Sequence, residues 1–328
     1  MTETQPPDTA AGPEDPYDYC AAIAARNGSP LWLVGRALPV RKRRFFAAAY
    51  ASMRVIDDYV DNTFLGLSPL ERAARRPAAL GRLASWQSGI EKAARGVAAE
   101  DMANDDPVFH ALADILPHAD LGIGPWQALG EAMRHDLEER PIEDWTAFKA
   151  YCDGATVAPA AVFIYILGCS LRADRFCWTS PQSPSYYASD IAVFCYLVHI
   201  LRDLVADSKG DPQLLTIPRT VLSAASLSPS GLQAAIRHGD HAAVERLVVS
   251  LTGQAQAHRN TAERRIGELA EQIDTGPRVQ LAALYGAYSV LHDRIREDPS
   301  SVLTDPEGLR HLQRTALERT MVSSQECP

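Results

Sequence analysis

The chain has 328 residues and a formal net charge of −9, with 46% hydrophobic and 22% charged residues. These values are typical of a globular protein with a sizeable core, and they exclude disorder of the whole chain. An acidic chain lacks the overall positive field on which sequence-independent nucleic-acid binding depends, so a DNA or RNA partner is not expected.

The N-terminal segment, residues 1–15, is acidic and proline-rich and lacks the apolar stretch of a signal peptide, so we expect a disordered tail. The longest apolar stretch, Val157 to Leu167, contains Pro159 and falls short of the roughly 18 apolar residues of a membrane span. We therefore expect no transmembrane segment, and only peripheral membrane contact is compatible with the composition. The six cysteines form no CxxC pair, which favours reduced thiols in a cytoplasmic protein.

Apolar residues recur at helical spacing along the chain, whereas alternating runs of valine, isoleucine and threonine are rare. We therefore predict an all-α protein. The predicted helices, in chain order, are Pro16 to Asn27, Val40 to Asn62, Pro69 to Lys92, Asp106 to Ala119, Pro125 to Glu138, Asp144 to Leu167, Ser185 to Asp207, Pro229 to Arg237, Ala242 to Gln272 and Pro277 to Arg296. Short proline and glycine clusters separate them, and none is long enough for an interdomain linker. The sequence thus predicts one domain over residues 16–298 and a C-terminal tail over residues 299–328.

The second predicted helix carries several aspartates although it is otherwise mainly apolar. Four of its residues lie on one face, at spacings of four, three and four: Tyr50, Arg54, Asp57 and Asp61. Asp58 lies beside this face. Asp57 and Asp61 are about 6 Å apart along the axis by helical rise. Two like charges at this spacing repel each other unless a cation lies between them. The pattern therefore predicts a divalent-metal site.

A later apolar helix ends in a similar pattern. Its polar residues share a face at spacings of three, four and four: Tyr196, His199, Asp203 and Asp207. A few carboxylates with open positions suit Mg²⁺, which keeps several waters and is completed by substrate phosphates. Arg54 and Arg202 stand beside the acids and supply donors for the same phosphate. Either stretch alone is compatible with a solvated face or a salt bridge, but the two together favour a diphosphate clamp.

The two stretches resemble the YxxxRxxDDxxD and RDxxxD motifs of the squalene and phytoene synthase family, which are head-to-head trans-prenyltransferases. The resemblance extends over about Tyr17 to Asp298. Shorter matches to the family lie at Leu31 to Pro39, Met133 to Leu137, Tyr151-Cys152, Thr216 to Pro218 and Tyr288. Together, the two acidic motifs make the resemblance specific.

The resemblance implies a single-domain isoprenoid synthase fold, a helical bundle around a central apolar cavity. It implies two or three Mg²⁺ ions held by five aspartates: Asp57, Asp58, Asp61, Asp203 and Asp207. All of them except Asp58 would also be catalytic. Arg54 and Arg202 would bind the diphosphate of a prenyl diphosphate, and Tyr50 and Tyr288 would contact the substrate. A water-free cavity would protect the allylic carbocation until a π-nucleophile attacks.

The sequence departs from the family where the second prenyl chain is expected to bind. Tyr196 and His199 replace a Gln-x-x-Asn pattern, Ile142 replaces a tyrosine, and residues 153–159 (DGATVAP) replace a glycine-richer segment. The motifs that would bind the prenyl donor are kept, whereas the residues expected around the second substrate, the acceptor, are altered. This favours a short dimethylallyl donor and an aromatic acceptor, as in the squalene-synthase-like subgroup that prenylates carbazole natural products.

Three of these residues have alternative roles. His199 would bind diphosphate or accept a proton from the arenium intermediate, or it would only form a hydrogen bond in the core. Asp153 would orient an acceptor, or it would cap or pair locally. Tyr196 would stack on an aromatic acceptor or simply pack.

Other functions are also compatible with the sequence. The first is head-to-head condensation of two farnesyl or geranylgeranyl diphosphates to squalene, phytoene or a related hydrocarbon. The second is a non-catalytic assembly factor, which the retained aspartates disfavour. A cyclase that ionises one prenyl diphosphate is a minor alternative.

Overall fold

The computed structural model describes residues 15–26, 30–97 and 106–323, and helices make up nearly all regular structure in these ranges. The α-helices, in chain order, are α1 Pro16–Arg26, α2 Pro30–Gly35, α3 Val40–Asp58, α4 Pro69–Ala94, α5 Pro107–Ile115, α6 Gly124–Leu137, α7 Trp145–Cys152, α8 Ala158–Gly168, α9 Pro184–Asp207, α10 Arg219–Ala224, α11 Pro229–His238, α12 His241–Ala270, α13 Thr275–Glu297, α14 Ser301–Thr304 and α15 Pro306–Ser323. One antiparallel hairpin, β1 Ser170–Arg172 and β2 Arg175–Cys177, joins α8 to α9. The all-α prediction is confirmed.

Two helices widen into π-helical turns beside the predicted motifs. Tyr59–Phe64 continues α3 and contains Asp61. Asp153–Val157 joins α7 to α8, which together form the single predicted helix from Asp144 to Leu167. Such turns are rare and are frequent at functional sites.

Helix starts follow local sequence signals. Ser68 and Glu71 form a reciprocal capping box, and Pro69 occupies the first turn of α4. Ser183 likewise accepts a hydrogen bond from the Tyr186 amide at the start of α9. These caps satisfy amide groups that the helix itself leaves unpaired. The predicted starts at Pro69 and Ser185 therefore lie within one residue of the observed ones.

The core is one continuous cluster of buried side chains in which α9 is central. α9 packs against α8, α12 and α13, and α3 packs against α1, α5 and α8. Buried tryptophans link helices through polar contacts, because the Trp86 and Trp126 indoles donate to Ser52 O at 2.7 Å and to Ser52 Oγ at 2.9 Å. Each indole N–H thus has the partner that burial requires.

The C-terminal boundary differs from the predicted one. Residues after 298 form α14 and α15, and α15 packs against α13 and α9. Leu309 and Leu317 are each 1% exposed, and Gln313 between them is also buried. Their spacing of four residues forms the buried stripe of an amphipathic helix, which is why this segment joins the fold. Of the predicted N-terminal tail, only Asp15 lies within the described residues.

One stretch of the described residues, Trp145–Gly168, has the length and hydropathy of a membrane-crossing helix. Its most apolar window is 67% buried inside the fold. A buried core helix passes the same test, so the stretch is weak support for a membrane span.

Candidate active site

A cavity of about 710 Å³ lies between α3, α6, α8 and α9. Apolar side chains form most of its wall, among them Phe46, Met53, Leu129, Phe163, Ile200 and Leu284. The C-terminal ends of α3 and α9 add carboxylates to this wall. An apolar cavity with a few polar groups at one end has the composition of a ligand site.

The first acidic stretch presents Tyr50, Arg54, Asp57 and Asp61 to the cavity. Arg54 binds both neighbouring acids, with Nη1 2.8 Å from Asp57 Oδ2 and Nη2 2.5 Å from Asp58 Oδ1. Asp58 does not line the cavity wall. The buried Nε of Arg54 has no hydrogen-bond partner among the described residues. The Nε–H of Arg54 is therefore a donor that a ligand oxygen can use.

In the second stretch, three cationic or potentially cationic side chains converge on Asp203. Its carboxylate lies 2.5 Å from Arg202 Nη2, 3.0 Å from His199 Nε2 and 3.1 Å from Arg310 Nε. Burial alone would raise the pKa of Asp203, but hydrogen bonds from His199 and Arg202 hold it well below its ordinary value. Asp203 and Arg202 lie behind the cavity wall, whereas His199 and Asp207 are part of it.

The positive charges near the carboxylates that face the cavity are too few to balance the negative charge of these carboxylates. Limited hydration, together with the charges of Asp57 and Asp136, raises the pKa of Asp61 to about 7. Limited hydration also raises the pKa of Asp57, although Arg54 opposes that shift. The pKa of Asp207 is raised by the same limited hydration and by the charge of Asp203. A divalent cation would relieve this repulsion.

The donor set fits Mg²⁺ better than a metal that needs a complete protein cage. Oxygen ligands suit Mg²⁺, which binds one or two carboxylates and keeps waters or substrate phosphates as its other ligands. Within the described ranges, no cluster of three or more His, Cys, Asp or Glu side chains is arranged to hold an ion alone. Asp57, Asp61 and Asp207 are oxygen donors of the kind that Mg²⁺ accepts, and water or a phosphate would supply its other ligands.

The predicted aromatic residues lie together on the cavity wall. Tyr196 stacks on Phe148 at 6.1 Å and lies 6.4 Å from the Tyr151 ring. Tyr50 and Tyr288 also line the cavity. Burial raises the pKa of the Tyr196 and Tyr288 hydroxyls, so both side chains are neutral.

Asp153 is not brought to the site. It is exposed in its π-helical turn and does not line the cavity. The next residue, Gly154, packs against α6, and a Cβ there would lie 2.2 Å from the Ala128 carbonyl oxygen. In this chain that glycine therefore makes room for a helix, and the expected role of Asp153 in orienting an acceptor has no support from its position.

Three charged residues of the site were not predicted as site residues: Asp136, Asp211 and Arg310. Asp136 lines the cavity and accepts a hydrogen bond from the Tyr151 hydroxyl at 3.0 Å. Arg310 reaches Asp203 from α15, which lies beyond the predicted domain. The family match at Met133 to Leu137 contains Asp136 and was the signal for it. The apolar spacing of Leu309 and Leu317 was the signal for the helix that carries Arg310.

Solved structures share this fold. A dehydrosqualene synthase aligns with a TM-score of 0.63 at 18% identity, covering 94% of this chain and 96% of that one. Squalene synthase HpnC from Alicyclobacillus acidocaldarius aligns with a TM-score of 0.62 at 20% identity, covering 86% of this chain and 93% of that one.

Sequence comparison gives the same result. The chain is 23% identical over 212 residues to phytoene synthase 1, chloroplastic, of Arabidopsis thaliana, an alignment that covers 65% of this chain and 45% of that protein. The model of the squalene/phytoene synthase family matches residues 25–319, which include most of α15. The chain belongs to the squalene/phytoene synthase family.

Proposed function

We propose that the protein is a Mg²⁺-dependent prenyltransferase that ionises a short allylic diphosphate, dimethylallyl diphosphate, and transfers the prenyl group to an aromatic, carbazole-like acceptor. One observation carries this proposal: the carboxylates of two helices gather at one end of an otherwise apolar cavity. Charge is thus available where a diphosphate would leave, and a dry wall lies where a carbocation would form.

The acidic end supplies the diphosphate site. Asp57, Asp61 and Asp207 would hold the metal, with Asp58 and Asp203 beside them. Bound Mg²⁺ would offset the negative charge that develops on the leaving diphosphate. Arg54 would donate its unpaired Nε–H to a diphosphate oxygen. Arg202 would add a second guanidinium after leaving Asp203, because here it lies behind the cavity wall.

The apolar part of the cavity would hold the prenyl chain and the acceptor. Its side chains exclude water, which would otherwise capture the cation. Tyr196, held flat against Phe148, gives an aromatic acceptor a surface to stack on. His199 faces the same cavity, and there it would take the proton that the prenylated ring loses.

Head-to-head condensation of two long prenyl diphosphates is the second candidate. The solved structures named above, a dehydrosqualene synthase and a squalene synthase, favour it. Tyr196 and His199, in place of the family's amides, favour the aromatic acceptor. The two candidates differ in donor length and in the need for a second kind of substrate.

The test is a substrate panel. Purified protein with Mg²⁺ is incubated with dimethylallyl, geranyl, farnesyl or geranylgeranyl diphosphate, with and without carbazole or indole. Diphosphate release and products are followed by chromatography and mass spectrometry. Consumption of dimethylallyl diphosphate only when the aromatic compound is present supports the proposal.

Two other outcomes contradict it. Hydrocarbon formed from farnesyl or geranylgeranyl diphosphate alone establishes head-to-head condensation instead. Release of no diphosphate from any donor refutes both candidates. The Asp57→Asn variant is the inactive control, and Asp174→Asn, in the exposed hairpin turn away from the cavity, is its matched counterpart.

A further inference from the structure

Arg72 is a buried arginine in the first turn of α4, outside all of the motifs identified in the sequence. Its side chain is 4% exposed. We infer that Arg72 is a positioning residue that fixes the spacing of the cavity's carboxylates by holding together the three loops that follow them. This inference rests on the proposed function, because it concerns the metal and diphosphate site of that reaction.

Arg72 binds three groups from three separate segments. Its Nη1 donates to the Leu67 carbonyl oxygen at 2.7 Å and its Nη2 to Asp211 Oδ2 at 2.5 Å. Its Nε donates to Glu139, which also accepts from Arg76. Arg76 in turn donates from Nε to the Leu137 carbonyl oxygen at 2.8 Å. One guanidinium therefore links the loops after α3, α6 and α9.

Each of these loops directly follows a carboxylate of the cavity. The carbonyl oxygen that Arg72 binds comes six residues after Asp61 in the sequence, and its two carboxylate partners come three residues after Asp136 and four after Asp207. Gly66 of the first loop lines the cavity, and so do Gly210 and Asp211 of the third loop. The relative positions of the three acids therefore depend on one shared anchor.

Only an arginine can make this set of contacts. Its planar guanidinium presents five N–H donors in fixed directions, whereas a lysine presents a single charged point. Glu139 adopts a φ of +52°, a left-handed conformation that costs energy for a residue other than glycine. Contacts from Arg72 and Arg76 hold its carboxylate in that position. Without Arg72, two partly buried carboxylates would repel each other, and the loops would move apart.

Loss of Arg72 should weaken metal binding more than it changes the apolar part of the cavity. Most of the apolar wall comes from α3, α8 and α9, whereas Arg72 donates its hydrogen bonds to the loops that follow α3, α6 and α9. Metal ions, by contrast, need carboxylates at a fixed spacing, and loss of groups that orient metal ligands lowers affinity by about 10-fold to 100-fold. A residue that acted only on stability would not change metal affinity selectively.

The experiment measures Mn²⁺ binding in the presence of inorganic diphosphate, by electron paramagnetic resonance, for the full chain and its Arg72→Lys and Arg72→Gln variants. The matched control is Arg259→Gln, because Arg259 is a largely buried arginine on α12 that binds Asp293 and lies off the cavity wall. The thermal midpoint of each variant is recorded alongside. If the Arg72 variants do not fold, Mn²⁺ binding is measured for Glu139→Gln instead, because that substitution is a milder change.

We expect all arginine variants to lose thermal stability, but only the Arg72 variants and Glu139→Gln to bind Mn²⁺ about 10-fold or more weakly. Wild-type affinity in folded Arg72 variants would overturn the inference, and so would an equal loss in Arg259→Gln. If the wild-type protein itself does not bind Mn²⁺ with diphosphate, the proposed function fails, and this inference fails with it.

Discussion

The ends of α3 and α9 carry similar acidic motifs, but their electrostatic environments are opposite. Asp57 and Asp61 face the cavity with raised pKa values, and Arg54 is the main positive charge near them. Asp203 instead receives two arginines and a histidine, and its pKa is lowered. The end of α3 is thus arranged to gain a cation, whereas the end of α9 already holds several.

This difference separates the two ends as metal sites. Asp57 and Asp61 would hold a divalent cation without giving up other contacts to arginines of another helix, because the cation would offset the repulsion between them. Metal binding at Asp203 would have to displace contacts from Arg202 or Arg310, and those guanidiniums would then be available to an arriving diphosphate. Asp207, which lines the cavity and has a raised pKa, is the acid of α9 that is already available to a metal.

The largest expected effect comes from removing a carboxylate at the end of α3. If the proposed function holds, Asp57→Asn or Asp61→Asn should lower kcat/KM for diphosphate release by about 100-fold to 1,000-fold, since each would remove charge that stabilises the transition state through a bound metal. Steady-state assays at saturating Mg²⁺ measure this. Asp203→Asn should cost less than Asp57→Asn, and the reverse order would contradict the comparison.

The second prediction concerns α15. Of the two acidic ends, this helix contacts that of α9, where Arg310 binds Asp203. Leu309→Ala should reduce the free energy of unfolding by about 2–5 kcal/mol, because it leaves a cavity beneath a buried stripe. Chemical denaturation measures the loss. Leu171→Ala, at a residue 43% exposed in the hairpin, is the matched control and should change stability by less than about 0.5 kcal/mol. Equal effects would mean that α15 is not an integral part of the fold.

The sequence predicted the helices whose signals are local. Serine caps and first-turn prolines marked α4 and α9, and the spacing of Asp57 and Asp61 marked a shared face. Contacts between distant segments were not predictable, because nothing near Arg72 in the sequence indicates Glu139 or Asp211 as its partners. The position of Asp153 was not predictable either, because it lies in a π-helical turn, where side-chain directions differ from those of a regular α-helix.

The third prediction uses pH to separate the two acidic ends. The pKa of Asp61 is raised to about 7 in the folded protein, so between its ordinary value and 7 the folded state holds a proton that the unfolded chain releases. Without metal, the contribution of Asp61 to stability therefore declines as pH rises through this window. Mg²⁺ needs the ionised carboxylate, so its affinity should fall by up to about tenfold for each pH unit below 7.

Thermal unfolding with and without Mg²⁺, from pH 5.5 to 8, measures this third effect. The stabilisation by Mg²⁺ should grow with pH in the wild-type protein and should grow less steeply in Asp61→Asn, where Asp57 and Asp207 are the remaining cavity ligands with raised pKa values. Asp203→Asn should keep the slope, because the pKa of Asp203 lies well below this range. A slope that disappears in Asp203→Asn but persists in Asp61→Asn would reverse the assignment of the two ends.

The smallest expected effect concerns the aromatic wall on α9, one turn before His199. Tyr196→Leu removes a ring that stacks on Phe148, and an aromatic pair of this kind contributes about 0.5–1.5 kcal/mol. The KM for an aromatic acceptor should therefore rise by roughly 2-fold to 10-fold, while the KM for the prenyl diphosphate should not change. Tyr196→Phe keeps the ring and should behave like the wild-type protein. If Tyr196→Phe instead matches Tyr196→Leu, the hydroxyl rather than the ring positions the acceptor. If both variants raise the KM for the diphosphate, the aromatic wall belongs to the donor site, and the middle of α9 and its acidic end have one role instead of two.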